Sequence, residues 1–257
     1  MKNQKIIYYK DELNDEFAGD SIKARIIDEN YWYGDSSFFF SLMRFFLYRI
    51  FAIPLAYLFM KFHYHHKIIN KKVLKPYRKK AFFLYGNHTN NIADALIPTF
   101  VSFPKSTYVI VNANNVSMPI LGKITPYLGA LPLPDNLAAT RNFMNSVKLR
   151  VEENSSIMIY PEAHIWPFYT KIRPFTNLSF RYPLQYDCPV FSFTNTYQKR
   201  PFLKRPKIVT YVDGPFFAEK NLDKKEKQAS LRNQVYEKMV QRSKNNNVEL
   251  IKYIKEQ

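Results

Sequence analysis

The sequence predicts an α/β fold, a layered mixed sheet flanked by helices, with an N-terminal helical segment suited to a membrane interface. From residue 81 onward, short β-branched or aromatic runs alternate with helical stretches, which is the pattern of a layered α/β core. Ahead of them, residues 38–62 form an aromatic and aliphatic stretch that leads into a dense run of lysines. The 257 residues are 46% hydrophobic and 17% aromatic, enough for one well-cored domain with peripheral additions.

Four regions follow in chain order. Residues 1–37 are mixed and polar, with turn signals at Gly19-Asp20 and Gly34-Asp35, and read as an N-terminal extension. Residues 38–80 read as a membrane-docking helical segment with a basic run. Its longest uncharged stretch, Ile50 to Met60, is well short of the ~20 residues that cross a bilayer. Arg44 and Arg49 inside a spanning helix would each cost roughly 2.5–3.5 kcal/mol. An interfacial helix avoids that cost by letting the guanidinium groups reach lipid phosphates, and Pro54 favours two short helices dipping into one leaflet. The lysines and arginine after it (Lys67, Lys71, Lys72, Lys75, Arg78, Lys79, Lys80) add attraction to an anionic leaflet. An ordinary core helix and a true span stay open as alternatives.

Residues 81–220 carry the core. AFFLYG (81–86), STYVIVNA (106–113), SSIMIYPE (155–162), PVFSFTN (189–195) and KIVTYVDG (207–214) read as strands, with helices over 94–101, 116–128 and 137–153. Residues 221–257 are strongly charged with Leu231, Val235, Met239 and Val240 at helical spacing, which predicts an amphipathic helix with a frayed basic end.

Thirty-eight Lys and Arg against twenty-one Asp and Glu give a net charge of +17, a field that attracts polyanions. Anionic lipid, an acidic carrier protein and nucleic acid all qualify. The wealth of Phe and Tyr and the lack of a low-complexity basic tail argue against nucleic acid. The single cysteine, Cys188, permits no intrachain disulfide and suits a reducing compartment. The opening residues do not form a secretory signal, so the expected location is the cytoplasmic face of a membrane, peripheral or monotopic.

The chemistry concentrates in FFLYGNHTNNIADALIP, residues 82–98. A hydrophobic strand ends at Gly86, a polar cluster follows, and Asp94 opens an apolar helix. Side chains at the carboxyl end of a strand in an α/β sheet sit where such folds place their ligands. A histidine titrates near neutral pH. With Asp94 holding one ring nitrogen, the other nitrogen of His88 can take a proton from a substrate hydroxyl. This is the histidine and carboxylate half of a triad, the attacking oxygen coming from the substrate. Taken alone, the pair also fits a strand-end histidine that caps the next helix.

Asn87-His88 with a nearby aspartate, followed by Tyr160-Pro161-Glu162 at the end of a later strand, resembles the glycerolipid acyltransferase family. NHTNNIAD and YPEAHIWP stand where the family has its first and third blocks, PILGKITPYLGALPLPD (119–135) where it has the second, and CPVFSFTNTY (188–197) where it has the fourth. The resemblance covers roughly 80–215, with 38–62 corresponding to the family's membrane-docking region. It implies a membrane-associated O-acyltransferase that moves a fatty acyl group from acyl-CoA or acyl carrier protein to a glycerol-phosphate or lysophospholipid-type hydroxyl. His88 and Asp94 are then catalytic, Asn87 and Glu162 bind substrate, and no metal or redox cofactor is needed.

The departures from the family pattern are specific. Five residues, not four, separate His88 from Asp94, so the strand-to-helix turn must bulge to bring the two together. Ala163, His164 and Ile165 replace the family's glycine, threonine and arginine. That arginine is associated with the acceptor's phosphate, which leaves Arg173, Lys171 and Arg141 as candidate cations for it. His164 reads as a structural residue or a second polar contact. His63, His65 and His66 lack a Cys or acidic partner at ligand spacing and read as a polar turn facing headgroups. The rival readings are a non-catalytic membrane-surface lipid-binding protein on a degenerate acyltransferase fold, and a serine lipid hydrolase, for which no Gly-x-Ser-x-Gly elbow exists.

Overall fold

A computed structural model describes residues 4–17, 19, 22–119 and 121–256. Asp20, in the first turn signal, and Ile120, inside the second block, lie outside them. The elements in chain order are β1 (Lys5–Tyr9), α1 (Phe38–Arg44), a π-helical segment (Phe45–Ala52), α2 (Ile53–Tyr64), β2 (Lys67–Ile69), β3 (Phe82–Gly86), α3 (Ala93–Ser102), β4 (Thr107–Val111), α4 (Leu121–Leu128) and β5 (Ala130–Pro132). They continue with α5 (Leu137–Glu152), β6 (Ser156–Ile159), α6 (Arg181–Gln185), β7 (Val190–Arg200), β8 (Leu203–Phe216), α7 (Lys224–Ser243) and β9 (Ile251–Lys255).

Seven strands form one sheet in the order β2-β8-β7-β3-β6-β4-β5. The run from β7 to β5 is parallel, while β8 is antiparallel to β7 and carries β2 alongside it. Every residue of β3 and β6 is buried. Continuous apolar runs such as Phe82-Phe83-Leu84-Tyr85 are what a parallel strand covered on both faces requires. One face packs Phe83, Tyr85, Ile157 and Val190 against α5 and α7, and the other packs Phe82, Leu84, Phe191 and Phe193 against α2 and α3.

The helix ahead of the sheet is continuous from Phe38 to Tyr64 and is long and apolar enough to cross a membrane by length and composition. Pro54 lies inside this continuous helix, directly after the π-helical segment, and does not divide it in two. Phe40, Arg44, Tyr48, Met60 and Tyr64 are its buried residues, all separated by multiples of four. A step of four drifts about 40° per turn around an ideal α-helix. The wider π turn between Phe45 and Ala52 offsets that drift and keeps the stripe on the protein.

Arg44 therefore does not reach outward as an interfacial helix was expected to hold it. Arg44 is buried, donates from Nη1 to the Tyr127 carbonyl at 2.6 Å and stacks on Tyr48 and Tyr108. Arg49 lies over Tyr48 and Phe103. The core-helix alternative does not fit, because only 17% of the most apolar window is buried. The outer face shows Phe38, Phe39, Phe45, Phe51, Leu55 and Phe62 to solvent.

The segment 1–37 is more than an extension, and the tail is more than a helix. Ile27, Tyr31 and Tyr33 are core residues, and β1 pairs in parallel with β9 from Lys5↔Ile251 to Tyr9↔Lys255. This two-stranded ribbon presses on the loop after β6. Trp166 stacks on Tyr253 at 5.0 Å and donates from Nε1 to the Asp15 carbonyl at 2.7 Å, while the Tyr253 hydroxyl donates to the Pro167 carbonyl at 2.9 Å. Tyr253→Ala removes that stacking and hydrogen bond together and is expected to destabilise the fold by about 2 kcal/mol. Urea unfolding measures the loss, with proteolysis shifting to the loop at 163–171.

Candidate functional site

Gly86 ends β3 where a side chain would collide with the Phe193 ring and Met158, so glycine lets β6 and β7 close around the strand end. Asn87 then clips the turn to the neighbouring strand. Its Nδ2 donates to the Asn195 carbonyl at 3.0 Å and its Oδ1 accepts from Asn195 N at 2.8 Å. The turn reverses over Asn90, whose Oδ1 accepts from Ile92 N at 3.2 Å and Ala93 N at 2.9 Å, satisfying free donors at the start of α3.

This geometry absorbs the extra residue. Asp94, in the first turn of α3, points back over the turn, and its Oδ2 accepts from Thr89 N at 2.7 Å, Asn90 N at 2.8 Å and His88 Nδ1 at 2.9 Å. Its Oδ1 accepts from Asn195 Nδ2 at 3.2 Å. The amino end of α3 adds a favourable field for the carboxylate. With Nδ1 committed to Asp94, His88 is left with Nε2, which has no hydrogen bond to any described residue. The His88 side chain is 18% exposed, against 1% for Asp94.

Tyr160 explains a proline that looks misplaced. Pro98 lies inside α3 and has no N–H for the carbonyl four residues back, that of Asp94. The Tyr160 hydroxyl donates to that carbonyl at 2.5 Å, and its ring stacks on His88 with centroids 4.2 Å apart and 12° between planes. Burial and the Asp94 charge push its phenol well above the usual range, so it remains a neutral donor. The sequence marked Tyr160 only as part of the Tyr160-Pro161-Glu162 block and gave no sign of this role, because its partner is created by a proline in a different element.

Glu162 lies within the same shell but is closed to substrate. It is buried, its Oε2 accepts from His88 N at 2.9 Å, and its Oε1 accepts from Arg173 N at 3.0 Å. Burial raises its carboxyl above the ordinary value, opposed by Arg173 and these two N–H groups. Arg173 is buried as well, donating from Nη2 to the Glu162 carbonyl at 2.9 Å and from Nη1 to the Glu12 carbonyl at 3.1 Å, with a further bond to the His164 carbonyl.

Three of the residues expected to contact substrate are engaged within the protein. Asn87, Glu162 and Arg173 are all buried and hydrogen-bond within the protein. They hold the His88 turn in place. Lys171 and Arg141 are exposed and make no hydrogen bond or ion pair with the described residues. Lys171 belongs to the loop in which Trp166 N and Phe168 N donate to the His88 and Thr89 carbonyls at 3.2 and 2.8 Å. Arg141 lies early in α5, beyond edge strand β5.

The remaining histidines find separate partners. His164 pairs with Glu16 at 3.2 Å on the surface. His63 and His65 meet Arg205 at 2.8 Å and Arg200 at 2.5 Å. His66 joins the site indirectly. Its Nε2 lies 2.8 Å from Thr210 Oγ1, and that hydroxyl donates to Asn195 Oδ1 at 2.6 Å. A line of hydrogen bonds therefore runs from His66 through Thr210 and Asn195 to Asp94 and His88, across the antiparallel strands β7 and β8. No spacing rule could have exposed it.

Fold and site together define the class: an α/β protein that presents a His–carboxylate pair at the carboxyl edge of its parallel strands. Residues 61–195 match the family model described as Acyltransferase, more than half of the chain. The chain belongs to this acyltransferase family. Its fold is similar to the crystal structure of the 1-acyl-sn-glycerophosphate (LPA) acyltransferase PlsC from Thermotoga maritima, with a TM-score of 0.56 over 82% of this chain and 89% of that chain, at 15% identity. At that identity the likeness is one of fold. No curated protein matches the sequence.

Two measurements follow from this geometry. Ala163, where the family pattern has glycine, sits at φ 62, a left-handed conformation that costs a residue with a Cβ about 1–2 kcal/mol. Ala163→Gly is expected to raise stability by up to about 1 kcal/mol once the looser unfolded chain is subtracted, read as a higher Tm. Burial pushes His66 down to about 4 from 6.5. The unfolded chain takes up that proton near pH 6.5 and the folded chain only near 4, so stability is complete above that window. It falls as pH drops through it, by on the order of 3 kcal/mol. His66→Gln is expected to flatten that part of the curve, as measured by urea denaturation at neutral pH and near pH 4.

Proposed function

We propose that this acyltransferase works at a membrane surface, transferring a fatty acyl group from a thioester of coenzyme A or acyl carrier protein to the hydroxyl of a glycerol-phosphate or lysophospholipid-type acceptor. The observation that carries the reading is the unpartnered Nε2 of His88, opposite an Nδ1 held at 2.9 Å by the buried Asp94.

In this mechanism Nε2 removes the acceptor's hydroxyl proton as the oxygen attacks the thioester carbonyl carbon. The C–S bond then breaks, and the proton held on Nε2 passes to the departing thiolate. Asp94 fixes the tautomer and stabilises the imidazolium that forms between the two transfers. Tyr160, stacked flat on the ring, and Glu162, bound to His88 N, limit its motion, so their contribution is orientation.

A cavity of about 670 Å³ lies beneath α2, walled by Ile53, Pro54, Tyr57, Met60, Phe100 and Phe103, with His66 at its edge. It offers an apolar acyl group a place beside the helix. The exposed aromatic face of Phe38–Tyr64 supports docking on a leaflet, and the side proposed is the cytoplasmic one. Lys171 and Arg141 are free to meet an acceptor phosphate, and the +17 charge suits either acyl donor.

The test is acyl transfer by purified protein from radiolabelled acyl-CoA and acyl carrier protein to glycerol phosphate, lysophosphatidate and neutral lysolipids. Transfer to a phosphate-bearing acceptor is expected. His88→Ala is expected to lower kcat by about 10²–10⁴-fold with little change in KM. Unchanged turnover in that variant would remove His88 from the chemistry, and transfer to no acceptor would favour the lipid-binding alternative.

A further inference from the structure

A second cavity, of about 530 Å³, opens on the other end of the sheet. It is bordered by Ser106 and Ser155, just before β4 and β6 begin, whereas His88 follows the end of β3. Whatever occupies it cannot be the acceptor at the reacting centre. Four cations line it, Arg44, Arg49, Arg78 and Lys105, against two acids, Asp35 and Glu153.

The state of those charges matters more than their number. Arg44 is held by the Tyr127 carbonyl, and Lys105 donates to the Arg78 carbonyl at 3.0 Å and to that of Asn154. Glu153 is engaged by the buried Arg150 at 3.0 Å. Arg49 makes one long bond to Ser106 Oγ, at 3.3 Å, and the Arg78 guanidinium has no hydrogen bond or ion pair with the described residues. Two guanidinium groups thus border one cavity with most of their donors unspent, among hydroxyl and amide groups. A tetrahedral oxyanion accepts from such a set.

The surroundings indicate where that anion comes from. Phe45 lines the cavity and is 51% exposed, and Phe46, Phe38 and Phe39 continue the apolar ridge beside it. If the ridge sinks into the acyl region of a leaflet, its flank lies at the depth of the phosphates. We infer that this cavity is a headgroup site for an anionic phospholipid, held by Arg49 and Arg78. It anchors the amino end of the Phe38–Tyr64 helix while His88 works at the opposite edge of the sheet. The inference rests on the membrane-surface reading above.

The experiment is vesicle flotation of the purified full chain, using phosphatidylcholine with and without phosphatidylglycerol. The wild type is expected to prefer the anionic vesicles, and the pair Arg49→Gln with Arg78→Gln to lose about tenfold or more of that preference. Arg49→Lys with Arg78→Lys should keep most of it. Lys224→Gln with Lys225→Gln, the same charge change on exposed α7, should keep nearly all of it. Equal losses in the Gln pair and the α7 pair would assign the effect to net charge and overturn the site, as would no loss in either. Displacement by inorganic phosphate as readily as by anionic vesicles would transfer the site to a soluble phosphate compound. Failure of the wild type to float with any vesicle would sink the membrane reading itself, an outcome distinct from flotation that ignores Arg49 and Arg78.

Discussion

The carboxylate of Asp94 is 1% exposed and accepts four hydrogen bonds, from Thr89 N, Asn90 N, His88 Nδ1 and Asn195 Nδ2. A buried anion short of donors is among the costliest groups a protein can hold. The local structure is accordingly arranged to supply them. The turn after β3 must aim two backbone N–H groups at one oxygen, α3 must start where its field favours the charge, and β7 must bring Asn195 alongside. Once these hold, the direction of the His88 ring is no longer free.

The support around that carboxylate extends to both ends of the chain. Glu162 holds His88 N from one side and is itself held by Arg173, whose guanidinium reaches the Glu12 carbonyl. Trp166 and Tyr253 lock the intervening loop under the β1–β9 ribbon. Residues at either end of the sequence therefore take part in fixing a histidine near its first third. The exposed apolar helix is anchored by the same logic. Arg44, buried and bonded to the Tyr127 carbonyl, is a packing residue and not a charge on its outer face.

The sheet was legible because buried parallel strands have an unmistakable composition. Phe82 to Gly86 and Ser156 to Ile159 lack any polar alternation that a helix or an exposed strand would show. The motif order supplied the family and the candidate histidine. The N-terminal strand and β9 were not legible, since five residues of mixed polarity carry no periodic signal and each is stabilised by the other across the whole chain. The burial of Arg173 and Glu162 was not legible for a related reason: a charged residue beside a catalytic motif looks the same in sequence whether it faces substrate or the core.

What the sequence determined by itself is the chemistry available: a strand-end histidine, an aspartate at the start of the next helix, and the acyltransferase pattern that frames them. Tertiary structure alone decided which of those groups touch. His88 and Asp94 meet despite the added residue because Asn90 and the backbone of Thr89 curl the turn around the carboxylate. Asn195, Thr210 and His66 join them only because β7 and β8 lie side by side. A side chain's identity is local, whereas its partners depend on strand register and burial, and these are properties of the whole folded chain.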